Sequence, residues 1–318
     1  MHDVARDVAI SIASRDEHGF KVVFDNEIEE WPEEDTYESY AAISLGLREL
    51  DKNPEKFLDD LFSGMKELKA LSLECISFHS LPPSIRVLEN LRMLNLADCS
   101  LEDVTTIGSL GTLEILSFRD SSIRELPKDI GNLARLKLLD LLDCDELERI
   151  AGSVLSSLTR LEELYVGESF MNRESTEGNG EGRNARLEEL IPQSPQMMAL
   201  DIVVARLRLL PKDLRFNRQK LKFNFTIGSL LEERHKRNRG YLLENRLQLG
   251  CCSAVDIRES PMLHLMLEKS TDLVLVEIQN LKNILHELDG EGFPCLKILE
   301  VRASDDLEYV IDGTSDQS

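Results

Sequence analysis

The residues of this chain best suited to chemistry are six histidines and six cysteines. The histidines are His2, His18, His79, His235, His264 and His286. None belongs to an H-E-x-x-H pair, since His286-Glu287 has no second histidine, so the zinc-hydrolase arrangement is missing. There is no G-x-S-x-G for a serine nucleophile. There is no G-x4-G-K-[ST] whose backbone amides and lysine would hold a nucleotide's phosphates. The glycine-rich GNGEG lacks the preceding strand and basic residue that phosphate binding needs. The cysteines are Cys75, Cys99, Cys144, Cys251, Cys252 and Cys295, with no C-x2-C spacing for metal or redox work. Cys144, between Asp143 and Asp145, has the look of a ligase-type nucleophile beside a carboxylate. Flanking carboxylates raise a thiol's pKa, however, and a nucleophile needs it lowered. The expectation is a chain that is not an enzyme, with buried thiols in a reducing compartment.

The spacing of the leucines explains where such thiols sit. Five stretches of the form L-x-x-L-x-L begin at Leu68, Leu91, Leu113, Leu136 and Leu161, separated by 23, 22, 23 and 25 residues. This is neither the strand period of 2 nor the helical 3.6. It is the period of a leucine-rich repeat. The last two leucines of each motif alternate along a short strand and share one face. A small or polar residue follows at Cys99, Ser121, Cys144 and Ser169, where it can satisfy backbone groups as the chain turns; Ile76 breaks this rule in the first stretch. The return path uses Leu81-Pro82 and Leu126-Pro127, with Ile85, Leu88, Ile130 and Leu133 turned inward. One coil cannot bury its leucines alone, so each is stabilised by its neighbours. The expected fold class is α/β: a leucine-rich repeat solenoid, with a curved parallel sheet on the concave side, short helices and turns on the convex side, and a small N-terminal helical remnant.

Composition narrows the function. The net charge is −22, from 59 acidic and 37 basic side chains, which repels phosphate backbones and anionic membranes. The basic run Arg234 to Gly240 has no aromatic interleaving, so nucleic acid is not an expected partner. No apolar stretch is long enough to span a membrane. The N-terminal MHDVARDVAISIASRD carries Asp3, Arg6 and Asp7 where a signal peptide needs a basic start and an uncharged core, so a cytoplasmic location is expected.

Weaker units flank the clear ones. Upstream are Ile43-Ser44-Leu45 and the run to Leu61; downstream are Leu200–Leu210, Leu273–Leu281 and Leu296–Leu307. Residues 215–260 are left open at zero, one or two repeats. The expected organisation has four parts. Residues 1–38 form an N-terminal module remnant and acidic linker, 39–171 the repeats, 172–186 a flexible Gly/Glu-rich insertion, and 187–318 irregular repeats. The closing GTSDQS offers no obvious cap, which reads as an array cut short.

The head of the chain adds a resemblance. MHDVARDVA, with Val4, Val8, Ala9 and Ile12 on one helical face, precedes phrases such as LENLRMLNLADCSLEDV, SSIRELPKDIGNLARLKLLDLLDC and LTRLEELYVG. In that order they resemble the junction of plant coiled-coil-type nucleotide-binding leucine-rich-repeat (NB-ARC) disease resistance proteins. The resemblance implies recognition of a pathogen effector or a host guardee, and restraint of the NB-ARC module. It also implies ADP or ATP as the family's cofactor, with His2 and its helper Asp3 at the ADP phosphate. Without the phosphate loop, this chain itself is expected to hold no cofactor. The other readings are a stand-alone repeat scaffold or signalling adaptor, and a repeat-bearing ubiquitin ligase.

The expected binding surface is the concave face. Its residues lie between and just after the strand leucines: Glu74, Asp98, Arg119, Asp120, Asp140, Asp143, Tyr165 and Glu168, among Ser72, Asn95 and Ser117. Carboxylates on adjacent strands repel one another unless a cation or a basic partner intervenes. Protein partners with basic surfaces are therefore expected.

Overall fold

The structure is a computed structural model that describes residues 19–24, 40–46, 58–59, 62–168, 184–217, 219–228, 244–288, 292–304 and 306–310. His2, Asp3, the expected N-terminal helix and Ser169 lie outside the described residues. The chain divides into two compact units, residues 1–165 with 173–189 and residues 166–172 with 190–318.

The first unit repeats one coil. Its strands are β1 (Gly19–Phe24), β2 (Tyr40–Gly46), β3 (Ala70–Glu74), β4 (Ser77–Ser80), β5 (Met93–Asn95), β6 (Ser100–Asp103), β7 (Ile115–Ser117), β8 (Ser122–Ile123), β9 (Glu125–Leu126), β10 (Leu138–Asp140), β11 (Arg149–Ile150) and β12 (Glu163–Gly167). The main sheet runs β1-β2-β3-β5-β7-β10-β12, and its described pairings are parallel. Leu71, Leu94, Leu116, Leu139 and Leu164 are consecutive partners in register, and each is fully buried. The leucine spacing thus places each motif one strand over from the last. A one-residue slip would turn a leucine row to the opposite face, so the pattern fixes the register.

The joins between coils repeat as well. Lys69, Arg92, Glu114 and Lys137 each offer a carbonyl that accepts two N–H groups from the next coil, at 2.7–3.1 Å. On the return path, 3₁₀ turns at Pro83–Val87, Thr105–Ser109 and Lys128–Asn132 bury Ile85, Ile107 and Ile130. Pro82 and Pro127 precede two of these turns in extended geometry, where a fixed φ suits the entry and no N–H is lost from a ladder. The short helix α1 (Val154–Ser157) takes the same place one coil later. Smaller parallel ladders, β4-β6-β8 and β9-β11, lie along this path.

Two features differ from the sequence reading. The segment assigned to the N-terminal remnant contains β1, which pairs in parallel with β2 and extends the repeat sheet by one strand. In the segment expected to be a flexible insertion, the Ala185 N–H donates to the Ile150 carbonyl at 2.8 Å, and Asn184 bridges Ala151.

The second unit has strands β13 (Ala199–Val204), β14 (Lys222–Ile227), β15 (Arg246–Gly250), β16 (Asp272–Val276) and β17 (Ile298–Arg302), all parallel in that order. Residues 215–260 therefore supply two strands, β14 and β15. Ile202, Phe225, Leu247, Leu273 and Leu299 form one core row in register. Three helices lie on the return path: α2 (Ala254–Arg258), α3 (Pro261–Lys269) and α4 (Ile284–Leu288). Ser253 caps α2 by accepting from the Asp256 N–H, and Ser260 with Pro261 starts α3. Met262, Leu263, Leu265, Met266 and Leu267 of α3 are buried.

Candidate interaction surface

One backbone turn recurs at the strand ends. The residue closing β3, β5, β7 and β10 lies in the left-handed region, as Cys75, Asp98, Asp120 and Asp143 at φ 54–61°, and so do Gly167, Gly228, Cys251, Glu277 and Ala303 at the ends of β12, β14, β15, β16 and β17. Aspartate tolerates this region better than most side chains, because its short carboxylate bonds locally. So Asp98, Asp120 and Asp143, expected as docking charges, have a backbone reason to be aspartate. Their carboxylates still differ in access: Asp98 and Asp143 are exposed, and Asp120 is half-buried.

The residue after the turn faces the core and holds the preceding coil. The Cys99 thiol donates to the Leu73 carbonyl at 3.4 Å, the Ser121 hydroxyl to the Leu96 carbonyl at 2.5 Å, and the Cys144 thiol to the Phe118 carbonyl at 3.0 Å. Ser121 Oγ also accepts the Cys99 N–H at 2.9 Å. These contacts reach back 25 or 26 residues, one coil plus the turn. Cys144 is thus a structural donor. Desolvation pushes the Cys99, Cys144 and Cys252 thiols up to about 12, and nearby carboxylates add to it: Asp98 for Cys99, Asp140 and Asp143 for Cys144, Asp256 for Cys252.

A prediction follows from that shift. The folded state keeps these protons after the unfolded chain, with thiols near 9.0, has lost its own. Stability should be unaffected by these groups below pH 9 and fall from pH 9 toward 12, by about 1.4 kcal/mol per pH unit for each thiol. Urea unfolding at pH 8 and pH 10.5 measures it, and Cys144→Ala should flatten the slope. At pH 8 a native alkylation mass spectrum should show label on the exposed Cys251 and Cys295, with Cys99, Cys144 and Cys252 unlabelled.

The sheet face opposite the core leucines is less open than its composition suggests. Ser72, Asn95, Ser117, Asp140 and Tyr165 form its middle row in the first unit, and each is 4% exposed or less. Asn95 Nδ2 donates to Ser72 Oγ at 2.9 Å, and Tyr165 OH to Glu163 Oε2 at 2.7 Å. Arg119 Nε donates to Asp140 Oδ2 at 2.8 Å, with both side chains buried at 2% and 0% exposure. Asp140 Oδ1 also accepts the Leu142 N–H at 3.0 Å.

This corrects the expected surface at three positions. Arg119, Asp140 and Tyr165 are buried and present no charge or ring to solvent. Among the acids, Asp98 and Asp143 are exposed in the first unit, with Glu74 and Asp120 half-buried; Glu168, in the second unit, is exposed. Sequence reasoning missed the Arg119–Asp140 pair. The two residues stand at different positions of adjacent coils, Asp140 opposite Ser117 and Arg119 two residues beyond it, so the spacing gave no signal of the pair. In the second unit, Asn224 Nδ2 donates to Asp201 Oδ2 at 2.8 Å, and Arg246 pairs with Asp272 at 3.2 Å. Among the described residues no group of three or more His, Cys, Asp or Glu side chains could hold a metal ion, and no helix is long and apolar enough to cross a membrane.

The comparisons with known proteins fit this geometry. A leucine-rich repeat region, as a family, matches residues 67–203. Among solved structures, this region and its flanks are similar to a TDR receptor at 21% identity, covering 85% of this chain and 43% of that one, with a TM-score of 0.50. The Arabidopsis receptor kinase HAESA, in complex with the peptide hormone IDA and the co-receptor SERK1, is 16% identical over 90% of this chain and 49% of that one, with a TM-score of 0.46. Internalin C2 from Listeria monocytogenes is 18% identical over 61% and 76%, with a TM-score of 0.41. The chain thus spans less than half of either receptor. At such identities the likeness is one of fold. A search of curated proteins finds no match. This chain carries the leucine-rich repeat fold.

Proposed function

We propose that this chain is the protein-interaction part of a plant intracellular immune receptor. It acts in the cytoplasm, recognising a pathogen-derived or host protein and restraining a nucleotide-binding NB-ARC module. The MHDVARDVA motif followed by repeats supports that placement. The observation that carries the mode of binding is the row of strand-end acids in the first unit. Asp98 and Asp143 are exposed and Asp120 is half-exposed, on consecutive strands of a chain with net charge −22. Neighbouring strands are about 4.8 Å apart, so these charges repel one another, and a basic partner relieves that repulsion. His2 and Asp3 enter the reading as residues that would face ADP in a complete nucleotide site.

Asparagine tests this cleanly, because it tolerates the left-handed turn and removes only the charge. The triple variant Asp98→Asn, Asp120→Asn, Asp143→Asn should keep the wild-type urea midpoint. Its affinity for a receptor NB-ARC module should fall roughly tenfold at low salt, with the salt dependence flattened. Binding that is unchanged at low salt removes the acidic row from the interface.

A further inference from the structure

The inner sheet face of the second unit carries one row of polar side chains across four strands. Asp201, Asn224, Arg246 and Asp272 are consecutive partners in register on β13, β14, β15 and β16. The acids at the two ends of the row claim its middle members. Asn224 Nδ2 donates to Asp201 Oδ2 at 2.8 Å, and Arg246 Nη1 pairs with Asp272 Oδ2 at 3.2 Å. A carboxylate only accepts, so Asp201 fixes which end of the Asn224 amide faces it. The other end of that amide and the Arg246 Nε–H are not used in this way. Among the described residues Asn224 Oδ1 and Arg246 Nε are both buried, and neither has a hydrogen-bond partner. An unpaired buried polar atom is costly, and here an acceptor and a donor stand one strand apart, about 4.8 Å.

These two atoms set narrow terms for a ligand. It must offer a donor to Asn224 Oδ1 and an acceptor to Arg246 Nε. A carboxylate has no donor, and Asp201 and Asp272 repel it. An ammonium has no acceptor, and Arg246 repels it. A neutral group with both functions is required. A peptide unit has both, but it is trans, so its N–H and C=O point to opposite sides and cannot both turn to one row. A primary carboxamide can, because one of its N–H bonds lies on the same side as its C=O. Its two polar atoms also suit targets one strand apart better than a hydroxyl, which must bend both bonds to a single oxygen. The Arg246 and Asp272 side chains are 31% and 18% exposed, whereas Asn224 is 5% exposed, so the approach is from the β15–β16 side. Two hydrogen bonds hold a free amide weakly, whereas a side chain is carried in by the rest of an interface.

We propose that Asn224 and Arg246 form a binding site for a primary carboxamide, supplied by an asparagine or glutamine side chain of a partner protein. The site is separate from the acidic row of the first unit and does not depend on it. The test uses the full chain labelled with nitrogen-15, read at the Arg246 Nε–H and the Asn224 side-chain NH2 resonances. Arg246→Lys and Asn224→Ser assign those resonances by their loss. Acetamide and acetyl-Gly-Asn-Gly methylamide, each titrated to about 200 mM, should shift both along a saturating curve. Acetate, methanol and N-methylacetamide, a trans secondary amide, should give no saturating shift. Arg246→Lys keeps a cation beside Asp272 but has no Nε–H, so acetamide affinity read at Asn224 should fall about tenfold or more. Wild type without a saturating shift in acetamide overturns the proposal. So does an equal response to methanol or N-methylacetamide, or an Arg246→Lys variant that binds acetamide as wild type does. Binding of acetamide without the tripeptide overturns the assignment to a partner's side chain.

Discussion

Asp140→Ala should destabilise the protein by about 3–5 kcal/mol, the largest effect expected of a single polar change here. Asp140 is fully buried on β10, and Arg119, one coil earlier, is 2% exposed. Removing the carboxylate leaves the guanidinium in a place that solvent does not reach, and it takes the acceptor from the Leu142 N–H. A charge out of water costs several kcal/mol when its counter-charge is removed. The pair itself need not be stabilising compared with two apolar side chains of similar size, because desolvation offsets the attraction. Arg119→Met with Asp140→Leu should therefore recover most of what Asp140→Ala loses. Urea unfolding of both singles and the double, read as a cycle, separates the pair from its surroundings. If Asp140→Ala unfolds within 1 kcal/mol of wild type, the pair is not buried in solution.

Gly228→Ala should be the most damaging of the glycine substitutions, at about 2–5 kcal/mol, for two reasons that add. Gly228 closes β14 at φ +94°, where a Cβ is strained. A Cβ there would also stand 2.4 Å from the Gly250 carbonyl oxygen and 2.7 Å from its carbon. Those atoms are backbone at the end of β15, so no side chain can swing aside. Gly111 is the control, because a Cβ built there meets nothing within 4 Å. Gly111→Ala should stabilise by about 0.4–1 kcal/mol, by narrowing the unfolded ensemble. Denaturant midpoints of the two variants should move in opposite directions. Equal shifts would mean that the β14–β15 spacing is looser than drawn.

The sequence set the repeat and its register without help from the fold. Leu71, Leu94, Leu116 and Leu139 recur once per coil, and a coil has few ways to bury a leucine other than against its neighbour's. The ladder residues Cys99, Ser121 and Cys144 were legible for the same reason, since each falls at a fixed offset from its strand. The strands β14 and β15 were harder to see because phenylalanines replace leucines at Phe223 and Phe225, although Ile202, Phe225 and Leu247 keep the 23- and 22-residue spacing. Gly228 and Gly250, at their ends, were the signal left in the sequence.

Only the tertiary structure decided which charges reach solvent. Asp98, Asp120, Asp140 and Asp143 look alike in a list of strand-end acids. Asp140 lies within its strand and bonds an arginine 21 residues away, whereas the others sit at the turn. A one-residue offset changes the direction of a side chain, and burial depends on what the adjacent coil places opposite it. Apolar spacing is a property of each coil alone, so it can be read from sequence. Access to a charge is a property of coils together, so it becomes visible only once they are stacked.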